Sequence, residues 1–194
     1  MSWLEHLIVS VEHRDLLTMD TESLVCPVTV KLGEYGKISK TLFRHGGDAL
    51  LAGLSEMKDV LPDRRLDLGQ AVSLNCKPDY HIGSFSIIIF VALWAHYSEY
   101  GFNLFYKAYI NSLREAFRHN LKSIALPIMA YDGNIKLCSQ AIVKVIQDLD
   151  GLEMSSGFST TNVHFVSDNP NTVEFLRNEV DGGHRGPKRI RLGE

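Results

Sequence analysis

A chain of 194 residues, 45% hydrophobic and 22% charged, has the length and make-up of one globular domain with a real core, which excludes disorder over most of its length. A formal net charge of −3 carries no overall signature of nucleic-acid or membrane-surface binding. Cys26, Cys76 and Cys138 are widely spaced, with no CxxC pair or Cys/His cluster, so neither a disulfide framework nor a zinc site is indicated. They read as reduced thiols of a reducing compartment, cytoplasm or nucleus. Residues 1–10 carry acidic Glu5 and no basic run ahead of their apolar stretch, so no signal peptide is expected.

In chain order, residues 7–11 read as a strand, closed by the polar Glu12, His13, Arg14 and Asp15. Residues 24–30 form a second β-rich run containing Pro27. Proline cannot donate to a ladder, so this run is expected at a sheet edge, a strand end or the start of a loop. Residues 31–36 contain two glycines and read as a loop. Residues 37–44 and 48–60 carry apolar side chains at helical spacing, separated by Gly46 and Gly47, and Asp48 suits the cap of the second helix. A polar turn at 62–67 and a short strand at 71–74 follow.

The apolar stretch at 85–95 is about half the roughly 20 residues a membrane helix needs. Its run Ile87-Ile88-Ile89-Phe90-Val91 is rich in β-branched residues, so a buried strand is expected over 86–93. A helix at 103–120 comes next, with Leu104, Ala108, Ile110, Leu113 and Phe117 on its apolar side. A strand at 123–129, a loop at 130–134 and a helix at 137–149 continue the alternation. A loop at 151–160, a strand at 162–166 and a helix at 172–180 close it. This order predicts one α/β domain over residues 1–180, a three-layer α/β/α fold with a central mixed sheet. Residues 181–194 show no apolar period and read as a disordered tail. The cluster Lys188, Arg189 and Arg191 there suits nuclear import or contact with an acidic partner.

Three stretches carry a family likeness. Residues 105–116, Phe-Tyr-Lys-Ala-Tyr-Ile-Asn-Ser-Leu-Arg-Glu-Ala, are followed without a gap in spacing by 121–127, Leu-Lys-Ser-Ile-Ala-Leu-Pro. Ahead of them stands Gly69-Gln70-Ala71-Val72, and the strands at 87–94 and 163–166 fall in matching places. Together these resemble a macrodomain, the ADP-ribose-binding α/β module, and among macrodomains those of poly(ADP-ribose) polymerase-type proteins. The likeness covers about residues 7–180.

The resemblance implies where a ligand would sit. Asp15 stands where the family's aspartate holds the adenine amino group, with Leu16 beside it. A carboxylate accepts well from an exocyclic amine. Read from the residue alone, Asp15 equally suits the cap of a turn. The family's asparagine-containing run corresponds to Val25-Cys26-Pro27-Val28-Thr29, in which Thr29 offers a ribose only a hydroxyl. The triple-glycine loop corresponds to Gly33-Glu34-Tyr35-Gly36-Lys37-Ile38, where Gly36 matches and Ile38 follows. Glu34 and Tyr35 would bring charge and bulk beside a diphosphate unless Lys37 or Lys31 offsets the charge. The second phosphate loop corresponds to Ala130-Tyr131-Asp132-Gly133-Asn134-Ile135, with one glycine kept, a carboxylate at Asp132, and Asn134 suited to a left-handed position.

The sequence contains no HExxH, GxSxG, Walker A or GxGxxG pattern. His96, His119 and His164 read as surface or sheet-edge residues. Cys26, near the implied pocket, reads as a nucleophile or as a small buried side chain. No cofactor, metal or catalytic residue is expected. The expectation is a non-enzymatic module with a degenerate pocket that binds an ADP-ribose-type nucleotide, free or protein-linked, weakly, or a protein partner. The alternatives are an ADP-ribosyl hydrolase with unusual loops and a structural interaction domain without ligand. Neither membrane nor nucleic acid is expected as a partner.

Overall fold

Ile87, Ile89 and Val91 alternate with Ile88, Phe90 and Ala92, and all six side chains are buried. A strand with no polar face must be covered on both sides, and the rest of the chain is arranged to do so. The computed structural model describes residues 8–93, 101–130, 134–156, 162–183 and 190–192.

Seven strands form one sheet: β1 (Ile8–His13), β2 (Ser23–Val28), β3 (Ala71–Asn75), β4 (Ile87–Ala92), β5 (Ser123–Pro127), β6 (Asn162–Ser167) and β7 (Ile190–Leu192). Their order is β3-β4-β2-β5-β6-β1-β7, with β3 antiparallel to β4 and every other pair parallel. Helix α1 (Gly36–Val60) packs Leu42, Leu50 and Leu54 on one face, against Leu24, Ile88 and Phe90. Helices α2 (Gly101–Arg118), α3 (Ile135–Ser156) and α4 (Pro170–Gly183) cover the other, around Val25, Ile89, Leu126 and Phe165. The expected α/β/α layers and mixed sheet are therefore present. Among the described residues no helix is long and apolar enough to cross a membrane.

The expected pair of helices before β3 is one element broken at Gly47, whose φ of 53° and ψ of −154° lie outside helical space. Only glycine adopts that combination without strain. Helix α3 runs through Gly151 to Ser156 where a loop was expected. A single interior glycine costs about 1 kcal/mol relative to alanine, too little to end a helix that is otherwise well packed.

Pro27 lies on a central strand and not at the sheet edge, but it stands one residue from the end of β2, as the strand-end alternative has it. The Leu93 N–H donates to the Val28 carbonyl on the β4 side. Strand alternation therefore turns the Pro27 nitrogen toward β5, where pairing covers only Ser23 and Leu24. The missing N–H falls where no ladder partner is present.

The expected tail also holds structure: α4 continues through Gly183, and Ile190–Leu192 pairs with β1, Val9 opposite Ile190. The outer edge of β1 presents unpaired backbone groups, and a three-residue strand is enough to cover some of them. Lys188 and Arg189 lie outside the described residues.

Candidate functional site

After β2 the chain crosses through α1 to β3 on one side of the sheet, and after β5 through α3 to β6 on the other. The carboxyl ends of β2 and β5 part at this reversal, the place where open α/β sheets leave a crevice. A cavity of about 460 Å³ lies there, within the size range of small-ligand sites.

One wall is anchored from below. Tyr109 of α2 is fully buried, and its hydroxyl donates to the Pro127 carbonyl at 3.0 Å while accepting the Met129 N–H at 2.8 Å. Residues 127–130 at the end of β5 thus take a defined course along the cavity, with Ile128 N–H also donating to the Val166 carbonyl at 2.9 Å.

The opposite wall, between β2 and α1, closes on itself. Thr29 N–H donates to the Gly33 carbonyl at 3.0 Å, Leu32 N–H to the Thr29 carbonyl at 2.9 Å, and Gly33 N–H to Thr29 Oγ1 at 3.0 Å. Leu32 takes a left-handed φ of 56° to bury its side chain beneath the loop. The Tyr35 N–H donates to Ser39 Oγ. These backbone donors are committed inside the loop and are withdrawn from any anion held in front of it.

The mouth is charged. Arg14, Lys37 and Arg44 line it together with Asp15 and Asp168, a local excess of cations on a chain of net charge −3. Lys37, on the first turn of α1, forms an ion pair with Asp168, which directly follows β6. The Lys37 ammonium holds the Asp168 carboxyl below the usual carboxylate range, and Asp168 in turn raises Lys37, helped by the charge of Asp15.

The sequence-derived positions divide into three groups. Asp15, Leu16, Ile38 and Ala130 line the crevice. Asp15 serves both readings of it: Oδ1 accepts the Leu17 N–H at 3.0 Å, capping the 3-10 turn Leu16–Thr18, while the carboxylate borders the cavity. Thr29, Gly36 and Asn134 do not stand on the wall. Thr29 is spent on the loop it belongs to, Gly36 starts α1 with φ of 73°, and the Asn134 carbonyl accepts Cys138 N–H at the start of α3. Asp132 and Gly133 lie outside the described residues, as does Tyr131. Glu34 points to solvent, whereas Tyr35 is buried and forms part of the cavity wall.

No family model matches the sequence, and no curated relative is found by sequence comparison. Structural comparison is decisive. The macrodomain of Oceanobacillus iheyensis solved with ADP superposes with a TM-score of 0.70 at 17% identity, covering 89% of each chain. The macro domain of ganglioside induced differentiation associated protein 2 gives 0.65 at 14% identity, over 92% of this chain and 86% of the other. The Trypanosoma brucei macrodomain in complex with ADP gives 0.66 at 11% identity, over 90% and 69%.

The chain has the macrodomain fold.

Within this macrodomain fold, sequence reasoning missed Arg14, Arg44, Asp168, Asn169 and Thr172 as wall residues. Arg14 adjoins Asp15 and was legible as a neighbour, but nothing local marks residues 168–172. Cys26 is fully buried and its thiol is pushed far up by burial, which removes the nucleophile reading. Cys138 is likewise buried, its thiol pushed up to about 12.

Of the histidines expected at the surface or a sheet edge, His119 is found there, His164 is not, and His96 lies outside the described residues. His119 is exposed and its Nε2 lies 2.7 Å from Ser73 Oγ on the edge strand β3. His164 stands in β6, between β5 and β1, half-buried with Nδ1 2.7 Å from Glu12 and 2.8 Å from Ser10. Burial raises the Glu12 carboxyl, but hydrogen bonds from Ser10 and His164 and the nearby positive charges hold it below its ordinary value. Among the described residues no cluster of histidine, cysteine and acidic groups could hold a metal ion.

Proposed function

We propose that the crevice binds an ADP-ribose-type nucleotide, free or attached to a protein, without turning it over. The reading is carried by one juxtaposition: a cavity of about 460 Å³ at the β2/β5 parting, with the Asp15 carboxylate in its wall and Arg14, Lys37 and Arg44 around its mouth. The carboxylate suits an adenine amino group and the cations suit phosphate. That Oceanobacillus iheyensis and Trypanosoma brucei macrodomains of this fold have been solved with ADP, and a variant of the former with ADPR, supports the choice of ligand class.

Weak binding without hydrolysis follows from how the groups are used. Four backbone donors of the β2–α1 loop, those of Thr29, Leu32, Gly33 and Tyr35, are internally bonded, so these four give a diphosphate less than a glycine nest would. Among the described residues no histidine lines the crevice, and its two carboxylates, Asp15 and Asp168, hold a turn and an ion pair in the unliganded chain. The three free cysteines fit a place in the cytoplasm or nucleus.

Calorimetric titration with ADP-ribose and ADP tests this reading. Micromolar binding is expected, with a loss of about tenfold in Asp15→Asn, roughly what one hydrogen bond to a charged group contributes. Asparagine keeps an oxygen to cap Leu17, so the turn survives while one acceptor becomes a donor. Absence of binding by either nucleotide would defeat the proposal and leave a protein-interaction role. Release of ADP-ribose from a modified protein substrate would defeat its non-catalytic part.

A further inference from the structure

We propose that Asp168 is a built-in competitor for Lys37, occupying the cation that an incoming diphosphate must take over, and so sets how strongly the crevice holds charged nucleotides. The inference rests on the nucleotide reading above and concerns what regulates that same site.

Three observations carry it. First, the Lys37–Asp168 pair spans the mouth: one partner stands on the first turn of α1, the other follows β6, 131 residues apart in sequence. Both line the cavity, so the pair belongs to the site and not to a remote surface. Second, Lys37 is the lining cation that already has a counter-ion. Among the described residues Arg14 and Arg44 have no carboxylate within ion-pair distance, whereas Lys37 also feels the charge of Asp15. Third, the pair is open to solvent, with 80% of the Lys37 and 56% of the Asp168 side chain exposed.

Water screens an exposed pair and little holds it together, so it exchanges readily for a better acceptor. A lysine ammonium carries three donors on a flexible stem and can swing from carboxylate to phosphate without disturbing the helix below. Asp168 itself stays close by. Its backbone carbonyl lies 3.2 Å from His13 Nε2, which ties the loop to the end of β1. A phosphate that takes Lys37 therefore leaves a carboxylate at the same mouth, and both the lost pair and the like charge reduce apparent affinity. An uncharged nucleoside takes nothing from Lys37 and meets no such opposition. Asp168 thus acts as a selectivity-setting residue against charged ligands, and the Thr29, Leu32, Gly33 and Tyr35 N–H groups of the β2–α1 loop, bonded at home, do not offset it.

The test is titration of ADP and adenosine into the full chain as wild type, Asp168→Asn, Lys37→Gln and the double variant. Asp168→Asn is expected to bind ADP about three- to fivefold more tightly, the scale of an exposed ion pair, with adenosine unchanged. Lys37→Gln weakens ADP and leaves adenosine unchanged. In the Lys37→Gln background the Asp168→Asn gain falls to a small remainder. An unchanged ADP affinity in Asp168→Asn overturns the inference while the nucleotide reading stands. A gain of full size in the double variant also overturns it, because Asp168 would then act on phosphate directly and not through Lys37. If neither ADP nor adenosine binds any of the four proteins, the nucleotide reading itself falls and takes this inference with it.

Discussion

Among the described residues each face of the sheet buries one tyrosine completely, and the two are held in opposite ways. Tyr109, beneath the crevice, has a hydroxyl with a donor and an acceptor in the β5 end, and Cys138 Sγ at 3.4 Å. Tyr80, on the α1 face, presses its hydroxyl toward the backbone of Gly53 and has no hydrogen-bond partner among the described residues. At Tyr109 directional bonds fix the course of a segment. At Tyr80 packing alone holds the ring, which fills space and tolerates an orphaned polar atom at some cost.

Three substitutions break or sharpen this contrast. Tyr109→Phe has the largest expected effect: it leaves the buried Met129 N–H and the Pro127 carbonyl without their shared partner. A loss of about 3 kcal/mol in urea denaturation is expected, together with weaker ADP binding as the end of β5 loosens. A change below about 0.5 kcal/mol would mean that the anchor carries no load beyond packing.

Gly53→Ala comes next. A Cβ there would stand 2.3 Å from the Tyr80 hydroxyl oxygen and 3.3 Å from the ring carbon bearing it. Overpacking of this kind costs about 1–3 kcal/mol, and because the oxygen is the main obstruction, adding Tyr80→Phe should recover much of it. Equal destabilisation in both backgrounds would place the clash elsewhere. The smallest effect is expected for Tyr80→Phe alone, neutral or stabilising by up to about 1 kcal/mol in the same denaturation assay, since an unpaired buried hydroxyl is removed. A clear loss of stability there would reveal a bond that the described residues do not contain.

The two walls of the crevice extend the same lesson. The β5 end was readable as a strand running to a loop, and its placement on Tyr109 follows the helix-then-strand motif at 105–116 and 121–127. The β2–α1 wall was readable only as a loop lacking the expected glycines. Its internal closure depends on Thr29 reaching Gly33 and on Leu32 adopting a left-handed backbone that leucine rarely takes, and neither has a local composition signal.

By itself the sequence determined the alternation of strands and helices, the doubly buried strand at Ile87–Ala92 and the helix break at Gly47. These are local properties, set by hydrophobic period and by the backbone freedom of single residues. Only the tertiary structure decided that Pro27 faces an unpaired stretch, that a three-residue strand covers the edge of β1, and that Lys37 meets Asp168 across the crevice. Each depends on which strands lie side by side, and strand order is the outcome of burying the whole core at once, which no window of the sequence contains.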